Sequence, residues 1–119
     1  MSVFQFDAQG AIEINGAVTA NTVTTIVDAT DSAIFVAWFE VNENNGSTPN
    51  LTVDIYDGTN TRYLGDDDGV SFVAVAVAAK SSRKFTQGYV IPKGSKLRVT
   101  SSDAGGRFHV HGVRLRSSY

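Results

Sequence analysis

The sequence predicts an all-β fold: an antiparallel β-sandwich of about eight strands, in one domain spanning residues 1–119. Three observations carry this. Apolar residues alternate with polar ones at period two, and turn residues interrupt the pattern every eight to twelve positions. Val and Ile together number 21 while Leu numbers only 4, the balance of a chain built from pleated, half-buried strands. Thr, Ser, Asn and Gly contribute another 40 residues, which leaves little from which to build helices and much from which to build turns.

Residues 11–14, Ala-Ile-Glu-Ile, read as a short strand stopped by Asn15-Gly16. Residues 17–27 are rich in Thr and Val and read as a long strand with a polar face. Residues 28–32 form a turn cluster. Residues 33–42 are the most hydrophobic strand, with Phe35, Ala37, Phe39 and Val41 on one face and Ile34, Val36 and Trp38 on the other. Apolar residues on both faces mark it as central. Residues 44–50 are a loop by composition. Residues 51–56 alternate cleanly with Leu51, Val53 and Ile55 inward, and Asp57-Gly58 then supplies the positive φ that a tight hairpin into residues 61–64 requires.

Residues 65–69 are an acidic loop, and residues 70–79 alternate Val73, Val75 and Val77 with alanines as a strand. Residues 80–84 are a basic turn, residues 85–91 a strand ended by Pro92, and Pro92-Lys93-Gly94 a turn into a strand over residues 96–100. The last strand, residues 107–116, changes phase: Phe108 and Val110 share a face, while Val113 and Leu115 are an odd number of residues on. A β-bulge at His111-Gly112 would return all four to the core. Antiparallel strands in this number, without helices, imply a jelly-roll-like sandwich. Both termini, Met1 and Tyr119, are expected to be held by the sheet or by a neighbouring molecule.

Charge narrows the function. The net charge is −2 and only 18% of residues are charged, so no nucleic-acid partner is expected. No 18-residue apolar run exists, so no membrane span is expected, and the N-terminus lacks the basic and apolar regions of a secretory signal. There is no cysteine, hence no disulfide and no thiolate site. The charge is divided along the chain: residues 1–69 carry eleven acids and one base, and residues 70–119 nine bases and one acid. Either adjacent strands neutralise each other, or an acidic side of one molecule meets a basic side of another.

Catalytic constellations are missing, so no enzyme and no cofactor is expected. His109-x-His111 projects two imidazoles from one face, which suits zinc only if the remaining ligands arrive from Asp loops elsewhere. The eight residues after His111 hold no acid or histidine, and the pair reads as polar residues on an outward face, with no metal. Asp66-Asp67-Asp68-Gly69 lacks the alternating ligands and distal Glu of a calcium loop and reads as a solvated turn. Glu13, Glu40 and Glu43 are the only glutamates, so a glycosidase pair would need Asp as well. Trp38, Tyr56 and Tyr89 are the expected anchors of a protein interface, where such rings are enriched, rather than carbohydrate platforms. Asp66, Asp67 and Asp68, with Lys80, Arg83, Lys84 and Lys93, are the expected complementary charges around them.

Residues 88–100, Gly-Tyr-Val-Ile-Pro-Lys-Gly-Ser-Lys-Leu-Arg-Val-Thr, are followed by a short Asp/Gly turn and then by residues 108–115, Phe-His-Val-His-Gly-Val-Arg-Leu. Together with the 51–64 hairpin, this resembles the closing strands of small tailed-bacteriophage virion proteins. The same segment resembles the C1q/TNF-like jelly roll, a typically trimeric and extracellular fold that fits poorly with the missing signal sequence. The phage resemblance implies a virion structural protein made in the bacterial host cytoplasm and incorporated into the particle. It implies a capsid decoration or cement role, with a tail, neck or fibre-base component or a carbohydrate-binding module as alternatives. Its partners would be the major capsid protein or tail and neck proteins, and copies of itself in a homo-oligomer such as a trimer.

Overall fold

The computed structural model describes residues 5–43, 46, 48–103 and 105–118, with the backbone alone for residues 5–10 and 116–118. Met1, Tyr119 and part of the loop at residues 44–47 lie outside the described residues. Among those described there are ten strands: β1 (Gln5–Val18), β2 (Val23–Asp28), β3 (Ile34–Glu43), β4 (Asn50–Tyr56), β5 (Thr61–Tyr63), β6 (Val75–Ala76), β7 (Ser82–Phe85), β8 (Tyr89–Ile91), β9 (Lys96–Ser101) and β10 (Gly106–Ser118). They form two antiparallel sheets. The first runs β1-β10-β3, with β7 and β8 end to end on the far side of β3; the second runs β2-β9-β4, with β5 and β6 sharing the far side of β4. Consecutive strands β1 to β4 alternate between the two sheets of the sandwich.

The core fills the space between the sheets. Phe39 stacks on Phe85 with centroids 4.3 Å apart, and Phe72 meets Phe85 edge-on at 5.2 Å. Ile34, Val36, Val41 and Val110 from the first sheet face Leu51, Val53, Leu97 and Val99 from the second, all buried. Two turns form as the sequence predicts. Gly58 has φ +98°, and the Asp57 carboxylate accepts from the backbone N–H groups of Thr59 and Asn60 at 2.8 and 2.7 Å. At Pro92-Lys93-Gly94, Ser95 N–H donates to the Pro92 carbonyl at 3.0 Å and Gly94 has φ +90°.

Other elements differ from expectation, each for a physical reason. β1 runs straight through Asn15-Gly16, because Gly16 lies over the Phe108 ring, where a Cβ would sit 3.1 Å from Cζ. The chain instead turns at residues 19–22, with Asn21 at φ +55° and its N–H on the Ser101 carbonyl, which divides the expected 17–27 strand into the end of β1 and all of β2. Of residues 70–79 only Val75 and Ala76 form a strand, β6; Ser71 makes an isolated bridge to Gly65. Ala74, at φ +53°, breaks the run, and β5 already occupies the far end of β4's free edge. The 85–91 strand is interrupted after Phe85 and resumes at Tyr89, with Gly88 at φ +79° between β7 and β8; part of the expected basic turn at 80–84 is β7 itself.

The bulge lies where expected but belongs to the neighbouring strand. His111 pairs with Trp38 and Gly112 with Val36, so the extra residue is Ala37 of β3. β10 keeps an unbroken ladder with β1 from Gly106 to Arg114. Phe108 and Val110 therefore point inward, whereas Val113 and Leu115, expected in the core, lie half-buried on the outer face. The change of side falls on β3 instead: Ile34 and Val36 before Ala37, and Phe39 and Val41 after it, all face the core.

Gly112 does not adopt a positive φ; it is required for space. A Cβ there would lie 2.3 Å from the Phe35 carbonyl oxygen. Gly112→Val is expected to destabilise the fold by about 2–4 kcal/mol, through overpacking against backbone that cannot give way. Urea denaturation checks this, and a midpoint within error of the parent would contradict the close approach.

Candidate functional site

The first sheet turns one face to the core and the other to solvent. On the outer face, register assembles rows of side chains across four strands. Ala11 pairs with Val113, Val113 with Phe35, and Phe35 with Val90, so one row is wholly apolar. Val90 is 50% exposed. One row further along, Glu13 pairs with His111 and His111 with Trp38. The next row runs Asn15, His109, Glu40 and Lys84.

Trp38 keeps the outward position expected of it. Its indole stacks on His111 at 4.3 Å and meets His109 edge-on at 5.4 Å. With Glu40, Lys84 and Thr86 it lines an open depression. Both imidazoles reach the same carboxylate: His109 Nε2 is 3.0 Å and His111 Nε2 is 3.8 Å from Glu13 Oε1. The third group is thus Glu13 of β1, not an Asp from a distant loop. The signal was in the sequence, since Glu13 sits in an alternating segment, but nothing in one chain's pattern says that this segment pairs with residues 107–116.

The other two anchor rings are engaged within the chain. Tyr56 carries the Arg98 guanidinium over its ring at 4.1 Å and donates its hydroxyl to the Gly58 carbonyl at 2.8 Å. Tyr89 turns inward against Phe39, its hydroxyl directed at the Gly65 carbonyl 3.3 Å away. Burial first, and then the nearby Asp67 and Asp66, push its phenol above the ordinary 10.0.

The charged residues divide likewise. Asp66 is buried; it accepts from the N–H groups of Val70 and Asp68 and pairs with Arg83 at 3.3 Å. Asp67 accepts from the backbone N–H and the hydroxyl of Thr86, both at 2.7 Å. Those two bonds, with Lys84 a smaller contributor, hold its carboxyl below the ordinary 3.8. Asp54 pairs with Arg98 at 2.8 Å across β4 and β9. Asp68, Lys80, Lys84 and Lys93 are exposed. What was expected to be a solvated acidic turn is an ordered loop closed on its own carboxylates.

No protein-family model matches the chain, and no curated protein matches it in sequence. Among solved structures, it is similar to a pentameric capsid protein isolated from metagenomic phage sequences, with TM-score 0.51 and 20% identity. That match covers 86% of this chain and 61% of the other, so this chain spans about three-fifths of the capsid protein's length. The fold is one that a phage capsid protein uses. It is similar as well to a chain from Bacillus endospore appendages, described as a novel family of disulfide-linked pili, with TM-score 0.51, 14% identity, and 95% and 89% of the two chains covered. At these identities the likeness is one of fold. The capsid-type sandwich is the architecture that the phage resemblance in the sequence implies.

The carboxylates that hold these turns set the response to mutation and to pH. Asp66→Ala is expected to cost about 2–4 kcal/mol, because it strands two N–H groups and the Arg83 guanidinium. Chemical denaturation reads this, and a cost below about 1 kcal/mol would count against it. Asp28, Asp57 and Asp67 are all held below the ordinary 3.8 by hydrogen bonds, led by Thr30, Asn60 and Thr86 respectively. A lowered folded pKa means that their contribution is complete above the unfolded value and is lost as pH falls through the folded one. Stability is therefore expected to hold through neutral pH and to fall below about pH 4. Thr86→Val should return Asp67 toward 3.8 in a carboxyl NMR titration.

Proposed function

We propose that the chain is a structural subunit of a phage virion that acts by protein–protein contact, without catalysis. Within the particle, its role is that of a decoration or cement protein on the head shell. The observation that carries this reading is the outer face of the first sheet. There, Ala11, Val113, Phe35 and Val90 form an apolar row on a fold that a phage capsid protein shares. A neighbouring virion protein, the major capsid protein or another copy of the chain, covers that row. Trp38 lies beside it, while Asp68, Lys80, Lys84 and Lys93 supply charges at the surface that steer encounter and fix register.

A second reading is favoured by the appendage chain, of which the match covers 89%: a subunit of an extended fibre, including a tail or fibre-base component. This sequence contains no cysteine, so the disulfide linkage named for those pili has no counterpart in it. A carbohydrate platform is less well supported, since one face of Trp38 is against His111 and one face of Tyr56 is under Arg98.

The test is co-purification. Tagged chain, expressed while particles assemble in the source that encodes it, is expected on gradient-purified heads at a fixed copy number. Its presence on tails or fibres alone would favour the second reading, and absence from all particles would overturn both. Val90→Asp is expected to leave the isolated chain folded, because the side chain is half-exposed, and to cut incorporation about tenfold or more by placing an unpaired carboxylate in the contact. Unchanged incorporation would move the contact off this face.

A further inference from the structure

We propose that Glu13, His109 and His111 form a binding site for a zinc-type divalent transition-metal ion on the outer face of the first sheet. His109 and His111 are two residues apart on β10, so both imidazoles leave the same face. The β1–β10 ladder sets Glu13 directly opposite His111. The ligand atoms of the three residues lie within 4.8 Å of one another. Two sides of that triangle are already short, with the His109 and His111 Nε2 atoms 3.0 and 3.8 Å from Glu13 Oε1. A tetrahedral zinc with bonds of about 2.0 Å spaces its ligand atoms about 3.3 Å apart. Small side-chain rotations therefore complete the site, and no backbone need move.

Trp38 is a positioning residue for it. Stacked on His111 and edge-on to His109, the indole limits the swing of both rings and holds them side by side. The side chains of His109, His111 and Glu13 remain 32, 35 and 58% exposed, which leaves the fourth coordination position open to water. Two imidazoles and one carboxylate select zinc, nickel or copper over calcium or magnesium, which prefer all-oxygen sites. Binding through Nε2 leaves the neutral imidazole's proton on Nδ1, so coordinate bonds replace the His109–Glu13 hydrogen bond. The ion then ties β1, an edge strand, to β10.

Equilibrium dialysis of the purified full chain, stripped with EDTA and exposed to zinc chloride, tests this. One zinc per chain is expected, with no calcium retained under the same conditions. His109→Ala, His111→Ala and Glu13→Gln should each weaken zinc binding about tenfold or more, with the metal-free circular dichroism spectrum unchanged. Cobalt in place of zinc should give the visible absorption of a four-coordinate site. Equal zinc affinity in Glu13→Gln would overturn the three-residue site and leave a simple histidine pair. No bound zinc, or equal binding when both histidines are replaced, would overturn it outright. The measurement uses the isolated chain, so its outcome is independent of whether the chain enters a particle.

Discussion

Ala37 sets the sides of the first sheet. Between the Phe39 and Val36 pairings, β3 advances three residues, β10 two, and the segment joining β7 to β8 four. One extra residue on β3 thus has two consequences at once. It swaps the parity of β3, so that Ile34 and Val36 on one side and Phe39 and Val41 on the other all reach the core. It also prevents one continuous strand from following β3, which is why β7 and β8 are separate pieces joined through Gly88. The price is a carbonyl pressed toward β10, and Gly112 is the residue with no Cβ to meet it. Without the bulge, Phe39 would face solvent and Trp38 would point into the sandwich, away from His109 and His111.

The sheet order also resolves the charge division. In both sheets, strands from the acidic first half lie beside strands from the basic second half: β1 and β3 flank β10, and β2 and β4 flank β9. A segregation along the chain becomes an alternation in space. Asp54 meets Arg98, Asp66 meets Arg83, and Asp28 lies opposite Lys96. Much of the complementary charge is therefore satisfied inside one molecule, as adjacent-strand neutralisation expects. Arg62, Lys80, Lys84, Lys93, Arg107 and Arg114 remain exposed at the surface, where any one ion pair contributes little.

Much of the fold was legible because it rests on local chemistry. Asp57-Gly58 and Pro92-Lys93-Gly94 specify turns whatever surrounds them, and the alternation of residues 51–56 and 96–100 survives as β4 and β9. Even the bulge was legible in part: the broken phase of residues 108–115 marked the right place. Its owner was not, because a phase break in one strand and a bulge in its partner answer the same register problem from opposite sides. Gly16 misled for a similar reason. Asn-Gly signals a turn, but a glycine that lets an aromatic ring pack on the backbone carries the same letter. The Val-Ala alternation of residues 70–79 failed because the free edge of β4 is short and partly taken, a limit no local pattern contains.

The candidate site was the least legible part, since its members come from strands far apart in sequence. His109 and His111 are visible as a pair, yet their chemistry depends on Glu13, and that contact exists only because β1 and β10 share a ladder. The apolar row has the same origin. Val113 and Leu115 look like core residues, and they would be core if β10 carried the bulge. Because β3 carries it, they stand on the outer face beside Phe35. Register, and not the alternation of a single strand, decides which side of the sheet such a residue takes. On this chain those misassigned residues and the histidine pair fall on one face, while the opposite face of the same sheet is filled by the core. The fold itself is shared by a capsid protein and an appendage chain, so it does not choose between assemblies. The outer face of the first sheet sets an apolar row beside two imidazoles and a carboxylate whose ligand atoms lie within 4.8 Å of one another.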